Sequence, residues 1–333
     1  MRSKVQFVVR RLFPVMLFAS ACVVSVVRAQ GTGDYPSKSI SITVPWAPGG
    51  GVDILGRLIS QSLNTSTGQS VIVENRPGAS GVVGSRYVAS QPGDGHSLLV
   101  MNDTYAITAA MSKNMPFDAK KDIAPVIVVA YAPQLLVTGT NSPLNSFADV
   151  LKAGQVPNAK MSYGACGAGT PGHLAAESLN IQFNMKILHI PYKGCAPTIV
   201  DLIGGQLDLA WVTLGAAVGH IKAGKLKPLA VSSSQRSSVL PDVPTMSESG
   251  VPGFNFSSWQ GLGVPGGTPD NVKRKVHAVI ANVVKAEAFQ KRLVELGYTP
   301  ANLNDSSSVF QATVVKDIDR FAQIGKQINF SLD

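Results

Sequence analysis

Cysteine and charge are what this sequence has least of. Three of its 333 residues are cysteine and 15% carry a charge. Three cysteines exclude a disulfide scaffold, and a chain that is 45% hydrophobic with so few charges is neither disordered nor a coiled coil. Beyond the N-terminus no run reaches 18 apolar residues, so no internal membrane span is expected. His96, His173, His189, His220 and His277 lack His-x-x-x-His spacing and no Cys-x-x-Cys accompanies them, so no metal site is expected. No glycine-rich turn carries the Lys-Ser/Thr ending of a nucleotide phosphate loop, or the dinucleotide fingerprint with its downstream acid. Nothing in the pattern calls for a cofactor.

Acidic residues are absent from the first 29 positions. A net charge of +9 reads at first as a footprint of nucleic-acid binding. Arg2, Lys4, Arg10, Arg11 and Arg28 supply five of those charges and leave 24 basic against 20 acidic residues in the remainder, so no nucleic-acid partner is expected. The same segment has the parts of a secretory signal: a basic stretch ending at Arg10-Arg11, an apolar stretch from Phe13 to Val27, and small residues around Arg28 before a cleavage point at Ala29. The apolar stretch is too short for a membrane anchor and is interrupted by Pro14. Arg10-Arg11-Leu12-Phe13 partly resembles a twin-arginine signal. Cys22 after Ala19-Ser20-Ala21 makes a poor lipoprotein box, because a larger aliphatic residue belongs at position 19. The reading is a signal peptide over residues 1–29 and an exported chain that begins at Gln30.

In the exported chain, short β-branched runs alternate with helical patterns. Strands are expected at Ile40–Val44, Ser70–Glu74, Ser97–Met101, Val126–Val129, Leu135–Thr138, Lys160–Tyr163, Lys186–Ile190, Leu207–Val212 and Pro228–Val231. In Asp53–Asn64, the residues Ile54, Leu55, Leu58, Ile59 and Leu63 share one helical face. Thr268-Pro269-Asp270 offers an N-cap, a proline at the first helical position and a first-turn acid for a helix carrying Val272, Val276, Val279, Ile280 and Val283. Such alternation implies βαβ units and mostly parallel sheets in a two-domain α/β protein.

Three glycine-rich turns stand out. Gly49-Gly50-Gly51-Val52-Asp53 follows a strand and opens a helix, where backbone NH groups lack intrahelical partners and glycine lets a ligand come close. This is an anion seat, favoured by the helix dipole, or a tight turn without a ligand. Gly164-Ala165-Cys166-Gly167-Ala168-Gly169-Thr170-Pro171 repeats the arrangement, with Thr170 as N-cap and Pro171 at the first helical position. Two such helix starts, one per domain, could face each other across a cleft. Gly78-Ala79-Ser80-Gly81-Val82-Val83-Gly84 is assigned to packing against the sheet.

Cys166 and His173 could form a nucleophile pair, because a helix start near Cys166 lowers a thiol pKa. An oxidising compartment argues against a resting thiolate. Cys166 and Cys195 are the two cysteines left after export, which leaves a disulfide, two inert thiols or a Cys-dependent hydrolase as the alternatives.

Taken in order, the motifs carry a resemblance. Tyr35-Pro36-Ser37-Lys38 leads to Val44-Pro45-Trp46-Ala47-Pro48-Gly49-Gly50-Gly51-Val52-Asp53, then Glu74-Asn75-Arg76-Pro77-Gly78-Ala79. Tyr163-Gly164, Gly167-Ala168-Gly169-Thr170-Pro171-Gly172-His173-Leu174 and His189-Ile190-Pro191-Tyr192-Lys193-Gly194 follow. Leu240-Pro241-Asp242-Val243-Pro244-Thr245 and Gly261-Leu262-Gly263-Val264-Pro265 close the series. The set resembles the Bug family, periplasmic substrate-binding proteins of tripartite tricarboxylate transporters.

The resemblance implies an α/β protein of the type II periplasmic-binding-protein fold, two lobes joined by two crossover strands around a ligand cleft. It implies a discontinuous first domain, 30–138 plus 250–333, and a second at 139–249. It implies a periplasmic, monomeric receptor, not an enzyme. Its partners would be a small carboxylate or related ligand and the membrane subunits of the transporter, with a sensor protein as the alternative. Carried over by position, ligand-binding residues are Trp46, Pro48, Gly49, Gly50, Gly51 and Asp53, and then Gly164, Ala165, Cys166, Gly167, Gly169, Thr170 and His173. Thr104, Tyr105, Pro191, Lys193, Val212 and Thr213 would complete the cleft. Many members have serine at 165 or 166 and an acid at 212 or 213 that can hold a ligand amine. Ala165, Cys166, Val212 and Thr213 depart from this, which disfavours an amino-acid ligand.

Overall fold

Leu98 and Val100 face one way from their strand, Leu99 and Met101 face the other, and all four are buried in separate apolar clusters. A strand with two apolar faces needs cover on both sides, and helices supply it. The computed structural model describes residues 35–157, 160–327 and 332. The expected signal peptide and Gln30 lie outside the described residues. Among the described residues, no helix is long and apolar enough to cross a membrane.

The first sheet begins with β1 (Ile40–Val44), α1 (Gly51–Thr67), β2 (Val71–Asn75), α2 (Val82–Ala89), β3 (Ser97–Asn102) and α3 (Asp103–Met111). The chain then crosses on β4 (Ile123–Gly139) into the second sheet. That sheet is built with α4 (Phe147–Gly154), β5 (Ser162–Ala165), α5 (Pro171–Gln182), β6 (Leu188–Ile190), α6 (Cys195–Ile203), β7 (Leu209–Thr213), α7 (Leu214–Lys222) and β8 (Leu226–Val231). Residues 232–256 lead back to β9 (Ser257–Pro265), followed by α8 (Asp270–Lys285), α9 (Glu287–Glu295), the short β10 (Thr299–Pro300) and α10 (Ser307–Gln327).

Strand order is β2-β1-β3-β9-β4-β7-β5-β6, with β8 and β10 also on β4. Pairs linked by a helical crossover (β1 with β2 and β3, β5 with β6 and β7) are parallel, as the α/β pattern implies. Every pairing of β4, and that of β3 with β9, is antiparallel. The expectation of mostly parallel sheets is therefore corrected to mixed ones, because the crossing strands run against the rest.

Val126–Val129 and Leu135–Thr138, expected as two strands, are one. Pro133 reads as a break because it cannot donate to a ladder. It sits where β4 changes sheets: Pro133 still faces Ser257 of β9, while Gln134 faces Thr213 of β7. Beyond that point Leu135 and Val137 enter one apolar cluster and Leu136 the opposite one.

β9 was not expected, since glycine lowers strand propensity. A Cβ at Gly261 would lie 2.5 Å from the Ile127 carbonyl oxygen and 2.7 Å from the Phe310 ring, so close packing of β4 and α10 requires the glycine. Thr268 does not cap α8: the helix starts at Asp270 with Pro269 in the cap position, and Thr268 Oγ1 is buried without a partner.

Candidate functional site

Five strands in this fold deliver the chain into helix starts on the same side. Helices α1, α3, α5, α6 and α7 follow β1, β3, β5, β6 and β7, and their first residues converge on one small cavity. Its wall takes Gly50, Gly51 and Val52 from α1, Asn102 and Thr104 from α3, Thr170 and Pro171 from α5, Gly194 and Cys195 from α6, and Thr213 from α7. Trp46, Cys166, and Gln134 and Ser258 of the crossing strands complete it. Ligands of open α/β sheets bind outside the carboxyl ends of strands for this reason.

Only α5 among these helices has a side-chain cap, from Thr170. The caps of α1, α3, α6 and α7 (Gly50, Asn102, Gly194 and Thr213) accept no side-chain cap hydrogen bond. First-turn NH groups there have no intrahelical acceptor and carry the positive ends of the helix dipoles. No charged side chain is among the described residues lining the cavity. Trp46 Nε1 and Thr104 Oγ1, both on this wall, are buried without a protein partner. A buried polar atom without a partner is costly.

The first turn is held from behind by side chains. Asp53, 2% exposed, accepts from the Gly49 NH at 2.9 Å, from Arg57 Nε at 2.9 Å and from Asn75 Nδ2 at 2.8 Å. Burial works against the charged carboxylate, but these hydrogen bonds from Arg57, Gly49 and Asn75 hold its pKa below the ordinary value. Asn75 also donates to the Trp46 carbonyl at 3.1 Å, and Tyr298 Oη donates to the Gly51 carbonyl at 2.6 Å.

The second turn is held by a ring and a covalent bond. The Gly169 NH donates to His173 Nδ1 at 3.0 Å, which requires that nitrogen to be unprotonated. His173 stacks on His189 with ring centroids 3.9 Å apart. Burial, then the neighbouring His189, lowers the His173 pKa to about 3, and burial lowers that of His189 to about 4. Cys166 of the turn is joined by a disulfide to Cys195 at the start of α6. The structure therefore holds no free thiol at this turn for a nucleophile.

The two sides touch. Ser80 Oγ, in the turn assigned to packing, donates to the Ala168 carbonyl at 2.6 Å. A Cβ on Gly51 would strike Thr213 Oγ1, and one on Gly167 would lie 3.1 Å from the Trp46 ring.

Of the sequence-derived site residues, Trp46, Gly50, Gly51, Thr104, Cys166, Thr170 and Thr213 line the cavity. Asp53 and His173 stand behind it as supports. Gly164, Ala165, Gly167 and Gly169 are buried parts of the second turn. Pro48, Gly49, Pro191 and Lys193 are exposed and do not line it. Tyr105 turns its hydroxyl to the Ala119 carbonyl at 2.8 Å, and Val212 belongs to an apolar cluster. Sequence reasoning did not single out Gln134, Ser258, Gly194 or Tyr298. Nor did it assign a role to Asn75, which its place in Glu74-Asn75-Arg76-Pro77 could have flagged.

A family profile described as "Tripartite tricarboxylate transporter family receptor" matches residues 55–330. The "UPF0065 protein in tcbD-tcbE intergenic region" of Pseudomonas sp. (strain P51) is 35% identical over 284 residues, 85% of this chain and 84% of the relative. Among solved structures, that of the periplasmic binding protein BugD superposes with a TM-score of 0.84 at 31% identity, covering 89% of this chain and 99% of that one. R. palustris Rpa4515 with adipate superposes with a TM-score of 0.85 at 33% identity, covering 90% and 99%.

Proposed function

We propose that this chain, which belongs to the tripartite tricarboxylate transporter receptor family, captures a small carboxylate between two lobes and delivers it to the membrane subunits of such a transporter. The lobes are residues 30–138 with 250–333 and residues 139–249, hinged where the chain crosses between sheets. The protein acts in the periplasm as a monomeric receptor without catalysis, after loss of residues 1–29. The observation that carries the reading is the convergence of four uncapped helix starts on a cavity lined, among the described residues, by no charged side chain. Such a wall favours one anionic group through backbone NH groups, with Trp46 Nε1 as a further donor.

Charge-assisted hydrogen bonds contribute roughly 1.5–3 kcal/mol each, and association costs about 4–15 kcal/mol. Four or five such bonds supply about 6–15 kcal/mol, of the same order as that cost, so the net affinity is modest and packing on Trp46 adds to it. That strength suits reversible delivery. The test is a thermal-shift panel of di-acids, hydroxy acids, aromatic acids and amino acids with the mature protein. A ligand at a hundredfold its Kd should stabilise by about 2.7 kcal/mol. A panel in which no carboxylate raises the midpoint rejects the reading.

A further inference from the structure

The cavity wall is not uniform. Donors from helix starts dominate it, but Ser258 on β9 is different. Ser258 is 1% exposed; its Oγ donates to Asp103 Oδ1, with the Trp259 carbonyl at 3.4 Å as a second acceptor for the same hydrogen, and accepts from Gln260 Nε2 at 3.0 Å. A hydroxyl has one hydrogen and two lone pairs. With the hydrogen given to Asp103 and one lone pair to Gln260, a lone pair is what Ser258 has left for the cavity it lines. Thr104 Oγ1, on the same wall and fully buried, has no partner in the protein.

Resting on the receptor reading above, we propose that the ligand carries, besides its carboxylate, a neutral hydrogen-bond donor, a hydroxyl or an amide N–H, directed at Ser258. Asp103 is the positioning residue that keeps Ser258 an acceptor.

The groups that act on Asp103 are Ser258 of β9, the Thr104 backbone NH, and Asp317 and Arg320 of α10. Asp317 is engaged by Trp259 Nε1 at 2.8 Å and by Arg320 at 3.2 Å. Burial pushes Asp103 up to about 7, with the Ser258 hydrogen bond opposing and Asp317 adding to it. Above that pH the carboxylate claims the Ser258 hydrogen. Below it, protonated Asp103 can donate and release that hydrogen, so preference for a donor weakens.

The experiment is calorimetric titration of the mature protein with malate against succinate and 6-hydroxyhexanoate against hexanoate. At pH 8 the hydroxylated member of each pair should bind about tenfold tighter or better. The gap should close in Ser258→Ala. It should narrow below pH 7 in the wild type but not in Asp103→Asn. Equal affinities within both wild-type pairs, a comparison that needs no variant, overturn the inference and leave the carboxylate receptor standing. A gap that survives Ser258→Ala, or ignores pH, overturns the assigned roles of Ser258 and Asp103. If none of the four acids binds, the inference of a hydroxyl-directed subsite is overturned, while the receptor reading is decided by the wider panel.

Discussion

The two glycine-rich turns look alike in sequence and are held in unlike ways. Gly49 to Gly51 is fixed by an ionised carboxylate: Asp53 ties the turn's backbone to α1 through Arg57 and to β2 through Asn75. Gly164 to Thr170 is fixed by a neutral ring, His173, and by the Cys166–Cys195 bond to α6. Both reach the wall of the same cavity, so what must be kept is the position of the backbone. The side chains that keep it can differ in charge and in covalency, and the two turns should fail under different conditions.

Acid should separate them most. His173 and His189 have folded-state pKa values of about 3 and 4, below the ordinary 6.5. Their contribution is complete above pH 6.5 and is lost as pH falls toward 4 and 3, because the unfolded chain takes up protons first. With about 1.4 kcal/mol for every tenfold difference in proton affinity between the folded and unfolded chain, the loss is on the order of several kcal/mol. Asp53 is held below 3.8, so its contribution survives until the pH falls below that value. Asp103 has the opposite sign: its contribution is full below pH 3.8 and is lost as pH rises through 7. His173→Asn keeps an acceptor near Gly169 but does not titrate. Melting midpoints of wild type should therefore fall more steeply than those of His173→Asn between pH 6.5 and 4, with Asp103 common to both. Parallel slopes would reject the neutral-ring account of the second turn.

Reduction comes next. The disulfide spans 29 residues of sequence, and opening a loop of that size costs about 3–4 kcal/mol in the chain-entropy treatment. Cys166→Ala with Cys195→Ala should lose this much in urea titrations. An unchanged midpoint would mean that α6 is held to the turn by packing alone.

The smallest expected effect contrasts two neighbouring glycines. A Cβ at Gly50 has nothing nearer than 3.8 Å, whereas at Gly51 it meets Thr213 across the cleft and Tyr298 Oη at 3.0 Å. Gly51→Ala should cost about 1–3 kcal/mol of closed-state stability and so weaken ligand binding roughly tenfold or more. Gly50→Ala should stay close to wild type. Equal binding by the two variants would show that the lobes need not approach this closely.

Much of the fold was legible in the sequence. β1 was read to the residue, and β3, β5, β7 and β8 to within two residues at either end, because two-sided apolar runs bounded by turns leave few alternatives. What failed to read was the strand that belongs to both sheets and the strand that consists partly of glycine. In each case a local rule about Pro133, Gly261 or Gly263 was overruled by a neighbour distant in sequence. The site divides in the same way. Residues in the two turns and at Trp46 were named from their motifs, and Thr104 from the family resemblance. Gln134 and Ser258 were not, because each reaches the wall only through the crossing strands.

By itself, the sequence determined that this is an α/β chain with two glycine-rich helix starts, since strand periodicity and turn chemistry are local properties. Tertiary structure alone decided that three more helix starts join those two. It also decided that Asp53 and His173 stand behind the backbone they position, and that Asp103 reaches the cavity through Ser258. Those are outcomes of packing between segments far apart in the chain, where the neighbour that satisfies or strands a polar atom is not specified by the residues beside it.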